Sequence, residues 1–211
     1  MNSNASDLRA QGRMLLVLAH PAMERSRANK AMAEAVQGAP GVTTLDLYET
    51  YPDFAIDVRA EQKRLVGHDA LVVQFPMYWY STPALLKEWF DLVWLHGFAY
   101  GRGGTALKGK KMIVACSTGG DEAAYHSDGA NRFSVEEFLR PLEQTAALCG
   151  MEWLAPFVLH ASAAKSTAAI AREAKAYRKR LAELARSLPR GPLQGLLQSS
   201  PQSPPPGAVL Q

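Results

Sequence analysis

Five short apolar runs mark this chain, and most give way to a loop and then to a stretch with helical spacing. Residues 14–19, 42–47, 69–75, 111–116 and 151–160 read as strands. The run 69–75 barely alternates, as expected of a central strand covered on both faces, whereas 42–47 alternates like a strand towards an edge. A helix is predicted over 26–37, with Ala28, Met32 and Ala35 on one face and a stop at Gly38-Ala39-Pro40-Gly41. A loop with Tyr48, Tyr51, Pro52 and Phe54 precedes a short helix over 58–66. Further helices are predicted over 85–94, which is apolar nearly all round, and over 135–148. The last, over 167–188, carries Ile170, Ala174, Tyr177, Leu181, Leu184 and Leu188 at helical spacing. Strands alternating with helices predict an α/β doubly wound parallel sheet. Right-handed crossovers leave 2-1-3-4-5 as the simplest strand order for this length.

With 211 residues the chain is long enough for one ordinary domain with a sizeable core. The pattern occupies residues 13–188. Residues 1–12 read as a flexible N-terminal tail, and 189–211, rich in Pro, Gln, Ser and Gly, as a disordered one. A net charge of +3, spread along the chain, gives no argument for nucleic-acid binding. Cys116 and Cys149 lie in or beside apolar segments and read as buried thiols of a reducing compartment. No Cys or His spacing suits a metal. The N-terminus lacks the apolar core of a signal peptide, and no run approaches the roughly 20 apolar residues of a membrane span, so the expected location is cytoplasmic.

Candidate chemistry gathers where strands end, because the crevice of an open parallel sheet lies outside the strands' carboxyl ends. The first strand feeds His20-Pro21 and then Ser26-Arg27-Ala28-Asn29. Ser26 is placed to cap a helix whose free N–H groups and dipole would attract a phosphate, with Arg27 adding charge; a plain cap accounts for Ser26 equally well. The third strand feeds Pro76-Met77-Tyr78-Trp79-Tyr80-Ser81-Thr82-Pro83. Its aromatics, held between prolines, suit a flat ring or a neighbouring subunit. The fourth strand feeds Ser117-Thr118-Gly119-Gly120, whose bare backbone a ligand can approach closely. Phosphate site, aromatic faces and glycine loop together suit flavin mononucleotide. Tyr125 and His126 follow, a hydrogen-bond donor and a group that titrates near neutrality. His68, His96 and His160 read as fold or surface residues. Neither the glycine-rich dinucleotide fingerprint nor the hydrolase serine elbow occurs.

At these residues the sequence resembles the flavodoxin-like NAD(P)H:quinone oxidoreductases, and among them the ancillary flavoproteins of glutathione-regulated potassium efflux systems. The matching stretches are Ala19-His20-Pro21 with Ser26-Arg27-Ala28-Asn29-Lys30, Asp46-Leu47-Tyr48 with Tyr51-Pro52-Asp53-Phe54, and Pro76-Met77-Tyr78-Trp79-Tyr80-Ser81. They continue through Gly97-Phe98-Ala99-Tyr100-Gly101, Gly104-Thr105-Ala106-Leu107, Ser117-Thr118-Gly119-Gly120, Cys149-Gly150 and Pro156-Phe157. The match runs over roughly 14–188. It implies a flavodoxin-like three-layer fold, a five-stranded parallel sheet with helices on both faces.

It also implies a homodimer with a flavin at the subunit interface, FMN favoured over FAD, and NADPH or NADH as co-substrate. A quinone-type acceptor would take two electrons in a ping-pong cycle. A potassium efflux antiporter is the implied macromolecular partner, and would bring the protein to the inner face of the cell membrane. By similarity His20, Ser26, Arg27, Ala28 and Asn29 hold the phosphate end. Pro76, Met77, Tyr78 and Trp79 with Ser117, Thr118, Gly119 and Gly120 hold the ring. Tyr125 stands where diaphorase relatives have a catalytic tyrosine. The histidine that assists that tyrosine six residues later is replaced here by Asn131, with His126 and Arg132 the nearby substitutes. The surplus apolar surface of the helix 85–94 is the expected dimer contact, and a doubly covered core helix is the alternative.

Overall fold

The computed structural model describes residues 12–188. The expected tail 189–211 and all but Gly12 of the expected N-terminal tail lie outside those residues. Gly12 itself is buried, and a Cβ built on it would stand 2.1 Å from Leu188 Cβ, so the two ends of the described chain touch.

Strands β1 (Met14–Leu18), β2 (Val42–Asp46), β3 (Ala70–Pro76), β4 (Lys111–Ser117), β5 (Glu152–Trp153) and β6 (Phe157–Leu159) form one sheet. Its order is β2-β1-β3-β4-β5, with β6 also on β4, and every pairing is parallel. Helices α1 (Ala28–Val36), α2 (Leu47–Thr50), α3 (Val58–Val66), α4 (Ala84–Val93), α5 (Val135–Leu148) and α6 (Thr167–Ser187) cover it on both faces. The period-2 alternation of side chains divides the central strands between two cores. Leu15, Val17, Leu71, Val73, Phe75, Met112 and Val114 pack under α2 to α5, while Met14, Leu16, Ala70, Val72, Ile113 and Ala115 pack under α1 and α6. Apolar residues on both faces are why β1 and β3 show no polar alternation.

Three expectations change, the first being that Leu47–Thr50, read as strand end and loop, is the helix α2, capped by the Asp46 side chain. The run 151–160, read as one strand, is broken at Leu154-Ala155-Pro156, because proline has no N–H to give a ladder. Lys111 pairs with Glu152, yet Ala115 pairs with Phe157, so the outer strand carries one extra residue. This β-bulge reverses the faces: Trp153 packs under α2 to α5, but Phe157, four residues on, packs under α1 and α6. The helix expected over 85–94 is one-sided in the structure. Leu85, Leu86, Trp89, Phe90 and Val93 are buried, and Leu92 is its exposed apolar residue at 37%. Its apolar residues serve the core, so it presents no surplus apolar surface to a partner.

Buried polar groups tie these layers together. Glu61 of α3, fully buried, accepts hydrogen bonds from Tyr51 Oη (2.7 Å), Trp89 Nε1 (3.1 Å) and Arg64 Nε (3.0 Å). Both cysteines are free and buried, and burial pushes Cys116 up to about 12 and Cys149 up to about 11. No described helix is long and apolar enough to cross a membrane.

Candidate functional site

The loops leaving β1, β3, β4 and β6 meet at the carboxyl edge of the sheet. The loop after β1 is set by Ser26, whose extended backbone (φ −87°, ψ 119°) precedes α1 and whose Oγ accepts the Asn29 N–H at 3.1 Å. One orphan donor of the helix is thereby satisfied, and those of Arg27 and Ala28 have no acceptor within the helix. The Arg27 guanidinium does not face these groups. It donates to Ala163 O, Lys165 O and Thr167 Oγ1, bracing the loop before α6. The expected charge of Arg27 is therefore committed elsewhere, and its backbone is what it offers to an anion.

Asn29 is 1% exposed. Its Nδ2 donates to Ser117 Oγ at 2.8 Å, and its carbonyl accepts from Gln74 Nε2 at 2.9 Å, so α1, β3 and β4 are joined directly below the loops. Asn29 Oδ1 and Gln74 Oε1 are buried without a partner among the described residues. His20, buried at the end of β1, accepts the Ala22 N–H on Nδ1 at 3.1 Å. The neutral ring therefore carries its proton on Nε2. Burial holds the imidazole below its ordinary value, against the pull of Glu24. His20 meets Tyr78 edge-on, with ring centres 6.2 Å apart.

The loop after β3 is a tight hairpin. Tyr78 and Ser81 exchange both backbone hydrogen bonds (3.1 and 3.0 Å), with Trp79 (φ 50°) and Tyr80 (φ 62°) between them. Positive φ at both central residues is the geometry that Asn and Gly normally supply, so two aromatics there are strained. Trp79 projects with 93% of its surface exposed. Tyr80 stacks on Phe138 at 4.8 Å and donates to Asn131 Oδ1 at 3.1 Å. Pro76 is the last residue of β3, and Met77 N–H donates to Ser117 O, locking this loop to the next.

Facing the hairpin is the loop after β4. Ser117 and Thr118 are buried at its root, below a cleft of about 400 Å³ lined by Met77, Trp79, Gly119, Gly120, Tyr125 and Asn131 among others. A Cβ on Gly119 would meet nothing within 4 Å, whereas one on Gly120 would crowd Tyr125 at 3.2 Å. Gly119 thus leaves space that the described residues do not fill, and Gly120 lets the Tyr125 ring lie close over the backbone. Burial pushes the Tyr125 phenol up, opposed by the neighbouring Thr118 hydroxyl.

Of the residues singled out from sequence, Met77, Trp79, Gly119, Gly120 and Tyr125 line one cleft. His20 and Tyr78, in edge-on contact, link the loop after β1 to the hairpin, while Pro76, Ser117 and Thr118 precede the lining residues in the chain and do not line the cleft themselves. Tyr80, one of the three aromatics noted in that loop, also lines the cleft, whereas His160 reads from the sequence only as a fold or surface residue. His160 Nδ1 lies 3.1 Å from Thr118 Oγ1, and its ring centre lies 5.7 Å from that of Tyr125. The signal was available: His160 follows the last strand, at the same edge that drew attention to the other loops.

A family model for the flavodoxin-like fold matches residues 12–181. The chain belongs to the flavodoxin-like family. Among curated flavodoxin-like relatives, the glutathione-regulated potassium-efflux system ancillary protein KefG of Cronobacter sakazakii is 45% identical over 171 residues, 81% of this chain and 93% of that protein. The uncharacterized NAD(P)H oxidoreductase YdeQ of Bacillus subtilis is 45% identical over 81% of this chain and 86% of its own length. Among solved structures, general stress protein 14 of Treponema denticola in complex with FMN is 44% identical with a TM-score of 0.77, covering 82% of this chain and 99% of that one. An NADPH-quinone reductase of P. pentosaceus is 32% identical with a TM-score of 0.71, over 80% and 96% of the two chains.

Proposed function

We propose that this flavodoxin-like chain is a flavoprotein that oxidises NAD(P)H and reduces quinones. The observation that carries the reading is the cleft between a strained aromatic hairpin and a glycine loop, beside a helix start with free backbone donors. The cleft volume lies within the range usual for small-ligand sites. The room left at Gly119 is where a ring edge can approach backbone. FMN therefore fits the residues present, and the FMN complex of the Treponema relative supports it.

In this reading the backbone N–H groups of Arg27 and Ala28, with Ser26, Asn29 and His20 Nε2–H, hold the phosphate. Met77, Tyr78 and Trp79 with Thr118, Gly119 and Gly120 hold the ring, and Pro76 and Ser117 fix those two loops. When bound, the flavin takes a hydride from NAD(P)H and passes its two electrons to the acceptor. One slot serves nicotinamide and quinone in turn, which gives ping-pong kinetics. Tyr125 donates a hydrogen bond to the acceptor oxygen as charge develops there. The exposed Trp79 and Tyr80 fit a second copy closing over the cleft, so the working unit is a homodimer, located in the cytoplasm.

The deciding experiment is an absorption spectrum of the purified protein, with anaerobic addition of NADPH and then a quinone. A flavin spectrum that bleaches and recovers supports the reading, and the released cofactor separates FMN from FAD. Absence of flavin after reconstitution with either would sink it. Similarity to KefG over 93% of that protein supports a second role, as the ancillary subunit of a potassium efflux antiporter. Co-purification with such a transporter, and potassium efflux that rises when the chain is added, would test that role.

A further inference from the structure

We propose that His160 is the proton-relay partner of Tyr125, acting through the Thr118 hydroxyl. The inference rests on the oxidoreductase reading and adds a residue from outside the three loops that reading uses. Asn131 cannot titrate and is engaged by Tyr80, while His126 and Arg132 are exposed. His160 is the histidine whose ring stands beside Tyr125.

Three observations converge on it. First, Thr118 has one hydroxyl proton and lies within hydrogen-bond distance of Gly120 O (2.9 Å) and His160 Nδ1 (3.1 Å). Gly120 O can only accept, so Thr118 donates to it and accepts from His160 Nδ1–H, leaving Nε2 bare. The Tyr125 phenol borders the same hydroxyl. Second, the backbone around His160 is locked to the glycine loop: Thr118 N–H donates to Leu159 O, Ala161 N–H to Gly120 O and Ser162 N–H to Thr118 O, at 3.0, 2.8 and 2.9 Å. Ala161 is held at φ 52°, strain placed next to the histidine. Third, the bulge between β5 and β6 decides where His160 points. Leu159 enters the core under α1 and α6, so the following side chain falls on the Tyr125 side of the sheet. Without the extra residue the alternation would send it to the opposite face.

The chemistry balances with these groups. Reducing a quinone to a hydroquinone consumes two electrons and two hydrogens. The hydride from NAD(P)H, delivered by way of the flavin, brings both electrons and one hydrogen. The remaining proton leaves Tyr125 Oη for the acceptor oxygen, and Tyr125 regains one from Thr118 Oγ1, whose O–H swings from Gly120 O to the phenolate as that charge develops. Thr118 takes the Nδ1 proton of His160, and Nε2 of His160 takes one from water, so the triad ends uncharged. Burial lowers the imidazole, Glu122 raises it, Lys165 lowers it, and Glu136 and Asp121 raise it. The net direction is downward, which keeps the ring neutral near pH 7.

The test compares His160→Asn, which preserves a donor near the Nδ1 position but cannot shuttle protons, with His160→Ala. Quinone reduction is measured against reduction of ferricyanide, an acceptor that takes electrons without a proton. A relay lowers the quinone-to-ferricyanide rate ratio by about ten-fold or more in both variants. If Asn restores the ratio to the parent's, His160 is only a brace and the relay is wrong. Nitrogen-15 NMR of the flavin-free protein supplies a second readout. The relay requires the Nδ1–H tautomer at His160, altered by Thr118→Val; an Nε2–H tautomer overturns it. Failure of the unmutated protein to bind flavin would remove the oxidoreductase reading itself. That failure is visible before any variant is made.

Discussion

Trp79 and Tyr80 sit on backbone that costs an ordinary side chain roughly 1 kcal/mol per residue. No contact among the described residues repays this at Trp79, whose side chain is almost wholly exposed. Trp79→Gly should therefore raise stability, by about 1 kcal/mol in urea unfolding, while weakening FMN binding in a fluorescence titration. A variant that loses stability would mean that the indole has a partner within the protein. At this scale the sequence pointed to the loops after β1, β3 and β4, and the structure brings Met77, Trp79, Gly119, Gly120 and Tyr125 together in one cleft. The sequence was silent on direction: the guanidinium of Arg27 turns away to Ala163 and Lys165, and His160 turns inward, because both depend on contacts distant in the chain.

The elements were more legible than their junctions. Helices over 58–66 and 135–148 begin and end where the sequence reading puts them, and in the structure the Asp57 and Ser134 side chains cap them. The break between β5 and β6 was missed, since a bulge is defined against the neighbouring strand rather than within its own. Helix α4 was misjudged for a related reason: hydrophobicity alone does not say how wide a stripe the core will cover. Pro141 is an exposed residue deep inside α5, where proline lacks a helical donor and crowds the preceding turn. Pro141→Ala is expected to stabilise the protein by up to about 3 kcal/mol, read from the urea midpoint. A loss would show that the packing of Phe138 and Leu139 requires the proline.

For the whole molecule, the strand order followed from alternation and crossover handedness, and the two cores follow from strand parity. Acid sensitivity is set at the same scale. Burial holds His20, His68 and His160 below the ordinary 6.5. Unfolded, these residues titrate near 6.5, so just below that pH the unfolded chain binds more protons than the folded one. Stability should thus be level between about pH 7 and 8 and decline as pH falls through 6.5. Urea midpoints at pH 7.5 and 5.5 check this, and equal midpoints would contradict it. The contact between Gly12 and Leu188 has a consequence of another kind. With residues 12 and 188 touching at the edge opposite the cleft, the stretch 12–188 can be closed by a short peptide and reopened at the turn 38–41, where Gly38 and Pro40 are exposed. Such a circular permutant should fold, bind FMN as the parent does, and begin its translation with β2 instead of β1.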